Sequence, residues 1–577
     1  MLVGRTTSHL ETLSETAPLL SPFEFESMSS ESQSKSIAPS GVQRIRAMAI
    51  ELGLNESDSV LCARSAQAIG IDEAVVQGLR MGRRALDARR RGRRHVLRFV
   101  IHVDLDLPAD FRSDALDRAL KSGRARRVDP PAVFALEAPP RHWQSRRVVV
   151  VGSGPAGLYA AWTLAANGVA VDLIDRGPNL RDRGRAVARF SGSRELDPER
   201  NLLYGEGGAG TYSDGKLYTR TQHALEAPIL QTLIDAGAEP EIAFDARAHV
   251  GTDRLHRILP RLRGQLEDMG VRFHFDTRLE SFVTDGVGSV SAVRTSKGEL
   301  PADAVMLAIG HSARDTLRAL SAEGLVVEAK PFQLGLRIEH PQSLIDLGRF
   351  GEGADLEKLG HAYYSLVAKG SDGVPTVHSF CMCPGGQIVA SVAQPGLLCT
   401  NGMSNSKHSS PFGNSGLVVT LGAREFGEGA FAGLEYQEKL ESAFFEAGGG
   451  DYTAPAQRVP DFLAGREKSA LLRSSYKFGL HATRVDQLLP ASVTEALRAA
   501  ILRFDRQIPG YAGDQGVLVG VESRSSSPFR IPRDPESRIA QAFENLYPIG
   551  EGAGYAGGIM SAAIDGARSA WALLAHP

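Results

Sequence analysis

One stretch, Arg147 to Gly177 (RVVVVGSGPAGLYAAWTLAANGVAVDLIDRG), constrains this chain more than any other. Val148 to Val151 form the unbroken apolar run of a parallel strand buried on both faces. The run passes directly into Gly152-x-Gly154-x-x-Gly157, with Pro155 and Ala156 inside the motif. A helix is expected over Ala156–Ala166, stopped by Asn167-Gly168, with a second strand over Val169–Ile174 ending on Asp175. The glycines serve a tight turn, close approach of backbone to a pyrophosphate, and close contact of helix with strand. The helix start offers unpaired N–H groups and a positive dipole end to phosphates. Asp175 stands 18 residues past Gly157, where a carboxylate can hold ribose hydroxyls. The unit is a dinucleotide site, and by itself it leaves FAD and NAD(P) both open.

Two further GxGxxG matches, at Gly205-x-Gly207-x-x-Gly210 and Gly552-x-Gly554-x-x-Gly557, show how weak the bare pattern is. Neither is followed by an acidic strand end within a βαβ unit. Arg176 reads as an exposed strand-end arginine, with a 2′-phosphate contact, and hence NADP, as the alternative. Five glycines within Gly205–Gly215 make a backbone able to lie flat against a ligand, so Gly207, Gly208 and Gly210 are expected to touch the cofactor. Ser213, Asp214 and Lys216 place polar groups near that surface.

With 577 residues the chain has room for two or three domains. A net charge of −2 gives no overall steering towards nucleic acid or an anionic membrane. Four cysteines (Cys62, Cys381, Cys383, Cys399) without a CxxC argue against a disulfide framework or a thioredoxin-type pair. No apolar run approaches the roughly 18 residues of a spanning helix, so no membrane partner is expected. Localisation is expected to be cytoplasmic, or plastidial for a photosynthetic eukaryotic source.

Residues 1–40, rich in Ser, Glu and Pro, are expected to be disordered and make a poor transit peptide. Residues 41–138 read as a small basic α+β domain, with a helix at Ile71–Met81 and a strand at Val96–Leu107. Between them Arg80, Arg83, Arg84, Arg89, Arg90, Arg91, Arg93 and Arg94 form a basic patch, read as a solvated helix end and loop rather than an RNA contact. Pro-rich Ala138-Pro139-Pro140 leads into the first part of the dinucleotide domain, 139–324. A buried strand near Ala302–Ile309 ends in Gly310-His311, at the sheet edge where ligands collect. Residues 325–522 turn β-rich: a strand at Thr376–Cys383, a turn at Pro384-Gly385-Gly386 and a return strand at Gln387–Val392. Asn401–Ser404 and Gly413–Ser415 read as turns. Strand alternation puts Cys381 and Cys383 on one face and His378 on the other, so no metal site is expected and packing is the reading for both thiols.

The closing segment, 523–577, decides the cofactor. A short strand, Asn545–Ile549, ends in Gly550-Glu551-Gly552-Ala-Gly554-Tyr-Ala-Gly557-Gly558, and a helix follows from Ile559 to Ala575. A second glycine-rich strand-to-helix junction brings another helix N-terminus to one elongated ligand, and Glu551 suits ribityl or ribose hydroxyls. A simple NAD domain needs no such late return, so FAD is expected.

At these residues the sequence resembles the FAD-dependent dehydrogenases of bacteria and plastids within the glutathione-reductase-like flavoprotein superfamily. The resemblance covers about residues 45–575 and rests on the first fingerprint with Asp175, GEGGAGTYSDGKL, AIGHSARDT, CMCPGG with NGMS, and PIGEGAGYAGGIMSAAIDG. It implies an inserted β-rich domain over the flavin, with Glu551 replacing an Asp of many relatives. Where such relatives carry Arg after NGMS, this chain has Lys407.

The expected fold is α/β: a Rossmann-like FAD-binding fold with an inserted β-rich α+β domain and a small N-terminal α+β domain. The expected function is an FAD-dependent oxidoreductase passing a hydride or electron pair through flavin N5, with a small-molecule substrate. Lys216, Ser213 and His311 are the catalytic candidates, since no paired His–Glu base or Ser–His–Asp order stands out. No second βαβ fingerprint is visible, so NAD(P)H is expected at most as a transient donor. The rivals are an NAD(P)-dependent dehydrogenase without flavin and an RNA-associated protein with structural FAD.

Overall fold

Residues 41–576 are described by a computed structural model, apart from 92–93, 136–139, 218–222, 286–287, 372, 467–469 and 471–472. The expected disorder of residues 1–40, Arg93, and most of the link at 138–140 lie outside the described residues.

The valine run forms strand Arg147–Val151 at the centre of a five-stranded parallel sheet. The order is Leu546–Pro548, Ala304–Leu307, Arg147–Val151, Ala170–Ile174, Arg272–His274. Val148 and Val150 pack into one core, Val149 and Val151 into another, so both faces are covered. Burying each side chain contributes about 1.5–3 kcal/mol, an upper figure because the unfolded chain is partly collapsed. Helix Pro155–Ala166 follows the fingerprint, and helix Ile559–Ala575 packs along it. An antiparallel meander, Leu279–Thr284, Val290–Thr295 and Gly298–Pro301, completes this half.

The inserted part carries a seven-stranded sheet. Strand Phe332–Pro341 runs antiparallel between Phe412–Leu421 and Val517–Glu522. Helices Ala432–Ala447 and Ala491–Asp505 cover it, with Phe332, Phe444 and Phe504 fully buried between. Two expectations fail here. Gly386–Ala390 does not return along Val377–Cys383; it pairs with Thr400–Ser404, while Val377–Cys383 pairs with Phe412–Leu421. The segments read as turns at Asn401–Ser404 and Gly413–Ser415 are therefore strand interiors, glycines included. Gly402 lies where a Cβ would meet Asn414 at 2.4 Å, so its conservation of space, not a turn, accounts for it.

In the N-terminal part the expected helix at Ile71–Met81 is replaced by a short 3-10 turn, Glu73–Val75, and a long strand, Gly78–Arg91. This strand pairs antiparallel with Arg94–Pro108, which in turn pairs with Val42–Gly53. Cross-strand burial overrode a short apolar spacing that fits either period. The arginine patch is thus a strand, not a helix end, and several of its members face carboxylates: Arg80 with Asp106, Arg84 with Asp245, Arg89 with Asp87. Its backbone is tied to the dinucleotide half, Arg84 N donating to Phe244 O at 2.7 Å and Ala246 N to Arg84 O at 2.8 Å.

Candidate functional site: a dinucleotide cavity closed by a thiol and a lysine

A cavity of about 660 Å³ opens where the parallel strands end, at Val151, Ala308 and Ile549. The turn beyond Val151 is fixed by contact: a Cβ on Gly157 would sit 1.8 Å from Gly152 O, and one on Gly152, at φ +108°, 2.3 Å from Ala308 O. Asp175 clamps the same turn. Its Oδ2 accepts from Ser153 N (2.8 Å) and Oγ (2.6 Å), and its Oδ1 from Gly177 N and Gly205 N. The expected ribose carboxylate thus also knits the fingerprint to the glycine-rich loop.

That loop is braced from behind by Arg183, fully buried, which donates to Asn201 O, Glu206 O and Thr211 Oγ1. Gly207 N donates to Ser153 O. The loop then presents Gly208 to Gly154 across a narrow cleft: a Cβ on Gly208 would come 2.9 Å from Gly154 Cα, whereas one on Gly154 meets nothing nearer than 3.8 Å. Helices Pro155–Ala166 and Ile559–Ala575 both start on this cavity, at Gly154 and Gly558, and neither start is capped by a side chain. Two sets of open N–H donors and a cleft walled by bare backbone suit an elongated dinucleotide with a pyrophosphate at its centre.

Of the expected cofactor residues, Gly152, Gly154, Pro155, Ala156, Asp175, Arg176, Gly208, Gly210, Gly310, Glu551, Gly558 and Ile559 line the cavity. Gly157, Gly207 and Gly550 stand behind it, Gly550 N donating to Asp565. Arg176 is held by Glu199 (2.6 Å) and Asp315 (2.7 Å), with its guanidinium over the Tyr204 ring. Its charge is already matched, which leaves little for a 2′-phosphate.

The three catalytic candidates also line the cavity. Ser213 Oγ is engaged in its own turn, donating to Gly210 O and accepting from Gly215 N. His311 Nδ1 lies 3.4 Å from Glu551 Oε1, a His–Glu pair between residues 240 positions apart that no local spacing could reveal. Lys216 is the most connected: Nζ donates to Met382 O at 2.6 Å, pairs with Asp214 at 2.6 Å, and stands 3.8 Å from Cys381 Sγ.

Cys381 is the residue the sequence reading misplaced. A bulge between Phe380 and Cys383 breaks the alternation, and Cys381 takes φ +44°. Cys383 is buried as expected, but Cys381 turns into the cavity wall. Its thiol is pulled below the usual range by the Cys383 thiol beside it, and by Lys216 and Arg337, against the opposing effect of burial. Burial alone would raise the Asp214 carboxyl, yet Lys216 and His408 hold it well below the usual range. Ser404 Oγ hydrogen-bonds Asp214, His408 Nε2 lies 3.8 Å from it, and the His408 and His249 rings stack at 4.2 Å. Beneath them, burial raises the Glu522 carboxyl to about 7 despite Arg337 at 3.3 Å.

Among the described residues no group of His, Cys, Asp and Glu could hold a metal, and no helix is long and apolar enough to cross a membrane.

Two family models match the chain: an FAD binding domain over residues 145–302, and an FAD-dependent protein, C-terminal domain-like, over 331–525. An uncharacterized protein of Clostridium beijerinckii is 36% identical over 529 residues, covering 91% of this chain and 98% of that one. A glycine oxidase of Pseudomonas aeruginosa is 29% identical over 232 residues, 32% of this chain and 61% of that one. Among solved structures, an L-proline dehydrogenase from P. horikoshii aligns over 74% of this chain and 93% of its own at 12% identity, with a TM-score of 0.32. The glycine cleft and paired helix starts agree with the two matched FAD models, and the chain belongs to the FAD-dependent protein family and is an FAD-dependent oxidoreductase.

Proposed function

We propose that this oxidoreductase converts a small-molecule substrate at the end of the cavity lined by Cys381 and Lys216, with Cys381 Sγ as the group that takes or returns the substrate proton. The observation carrying this reading is the thiol held 3.8 Å from the Lys216 ammonium in the wall of the cavity that begins at the fingerprint. Asp175, Gly154 and Gly208 would hold the ribose and pyrophosphate, and Glu551 with Gly558 the ribityl end. Bound FAD supplies a two-electron acceptor or donor at its isoalloxazine ring.

The chain's own part is proton handling. A thiol whose pKa is lowered rests as thiolate near neutrality and can accept a proton. Lys216 stabilises that anion and is oriented by its bonds to Met382 O and Asp214. The His408–His249 stack, held beside the ionised Asp214, then offers a route by which the proton leaves the site. Transient NAD(P)H is the proposed donor where the substrate is the acceptor. A cytoplasmic setting is consistent with four free cysteines. The carboxylate partners of the basic strand favour a small molecule over nucleic acid.

The test is anaerobic flavin reduction of the purified protein against a metabolite panel, repeated with Cys381→Ala. The variant should keep its flavin and still photoreduce with an artificial donor, but lose reduction by the active metabolite. Unchanged reduction in Cys381→Ala sinks the assignment.

A further inference from the structure

A second cavity, of about 670 Å³, lies on the far side of the same wall. Asp214, Lys216, Ser365, Ser379 and Cys381 line both cavities, so the wall that carries Cys381 separates the two. The outer walls come from three parts of the chain. The N-terminal strand brings Arg83 and Arg84, the segment after Phe244 brings Asp245 and Arg247, and the inserted domain brings Lys358 and Lys407. The backbone bonds between Arg84 and residues 244–246 hold the first two walls together.

The charges here are unbalanced. Six lysines and arginines line this space against two aspartates. Both aspartates are spent, Asp214 on Lys216 and Asp245 on Arg84, and Lys358 pairs with Asp355 at 3.4 Å. Among the described residues Arg83, Arg247 and Lys407 form no ion pair, the Glu226 carboxylate near Arg83 standing beyond pairing distance, although the protein as a whole is slightly acidic. Arg247 lies over the Tyr363 ring at 3.5 Å, which holds its guanidinium in place without neutralising it. Unmatched cations around a concavity focus field lines and concentrate anions within it.

We infer that the second cavity is the vestibule of the active site and that it admits an organic anion, a carboxylate or a phosphate, to Cys381. The inference rests on the reading of Cys381 as the residue at the reacting end, and it names the class of substrate that end receives. The basic N-terminal strand then has a role: it is one wall of the entrance, and the arginines that face carboxylates fix the position of those that do not.

Cys381 itself is the reporter. Iodoacetate, an anion, and iodoacetamide, its neutral analogue, both form a sulfur–carbon bond as iodide leaves, and peptide mass analysis separates Cys381 from the other three thiols. In the holoprotein the rate ratio of iodoacetate to iodoacetamide at Cys381 should exceed that of a free thiol. It should fall with added salt, and by about tenfold in an Arg83→Gln, Arg247→Gln, Lys407→Gln triple variant of unchanged flavin content. A ratio equal to that of a free thiol, a ratio untouched by the triple substitution, or no labelling of Cys381 by either reagent overturns the vestibule. Protection from iodoacetamide by millimolar tricarballylate points to a carboxylate substrate, protection by inorganic phosphate to a phosphate, and protection by neither overturns the anion assignment. If the charge preference holds while Cys381→Ala still reduces normally, the vestibule stands and the proton-handling reading falls; the converse separates them the other way.

Discussion

Replacing Glu441 by Gln tests what joins the two halves over the cavity. Glu441, on helix Ala432–Ala447, is fully buried and accepts five hydrogen bonds. Two come from Arg314 at 2.9 Å each, two from Arg524 at 2.9 and 2.6 Å, and one from Ser523 Oγ at 2.7 Å. Arg314 opens helix Arg314–Ala322 of the FAD-binding half, and Arg524 Nη1 reaches Ser312 Oγ in the cavity wall. Glutamine keeps one acceptor oxygen, turns an N–H₂ towards donors, and leaves buried Arg524 without its counter-charge and buried Arg314 with Glu438 alone, at 3.7 Å. Removing one partner of a buried pair costs about 3–5 kcal/mol. For the inserted domain, roughly 200 residues melting as a unit at about 2–4 °C per kcal/mol, that is a fall in Tm of about 6–20 °C. Burial would raise the Glu441 carboxyl, but Arg314 and Arg524 hold it well below the usual range. Its contribution is therefore full above the ordinary carboxylate pKa and is lost only as pH falls below it. Thermal melts of wild type and Glu441→Gln followed by tryptophan and flavin fluorescence should differ most at neutral pH and converge in acid. A gap under about 1 kcal/mol at neutral pH, or one equally wide in acid, would refute the reasoning.

Three other outcomes follow from the same geometry. Gly154→Val should purify folded but without FAD, because its Cβ meets nothing within 3.8 Å and the rest of the side chain enters the cleft, whereas Gly157→Val, with a Cβ 1.8 Å from Gly152 O, should lose both flavin and stability; flavin-to-protein ratios and melts decide it. Glu522, raised to about 7 by burial, binds its proton more tightly folded than unfolded, so its contribution is present below the ordinary carboxylate pKa and lost as pH rises through 7. Glu522→Gln should match wild type below pH ~4, gain on it progressively as pH rises from the ordinary carboxylate pKa to about 7, and hold a gain of about 3 kcal/mol above that; equal pH profiles in urea titrations would contradict this. Stopped-flow reduction by NADH and NADPH should be slow and without saturation at millimolar levels, and micromolar saturation by either would reveal a nicotinamide site that no fingerprint marks.

The sequence carried the cofactor half well because its signals are local. A valine run, three glycines at fixed spacing and one strand-end Asp175 are dictated by contacts within one βαβ unit, and the glycine cradle at Gly208 follows from steric need alone. The reacting end was illegible for the opposite reason. Lys216 meets Cys381 across 165 positions, and His311 meets Glu551 across 240. Alternation placed Cys381 and Cys383 on one face, and a one-residue bulge undid it. The basic strand misled too: Ile71–Met81 is short enough to fit either period, and only its pairing with Arg94–Pro108 makes Gly78–Arg91 a strand.

The junction at Gly550–Gly558 also sets an order of events during synthesis. Strand Leu546–Pro548 takes the edge of the parallel sheet beside Ala304–Leu307, and helix Ile559–Ala575 packs along the fingerprint helix. The ribosome makes the fingerprint early, yet the second helix start and Glu551 emerge only after the whole seven-stranded sheet has been translated. A nascent chain therefore carries an open sheet edge and a half-built cradle for most of its synthesis. Flavin capture becomes the closing act of maturation: the last strand must first seal the sheet edge, and only then do both helix starts and Glu551 stand together to receive the ligand.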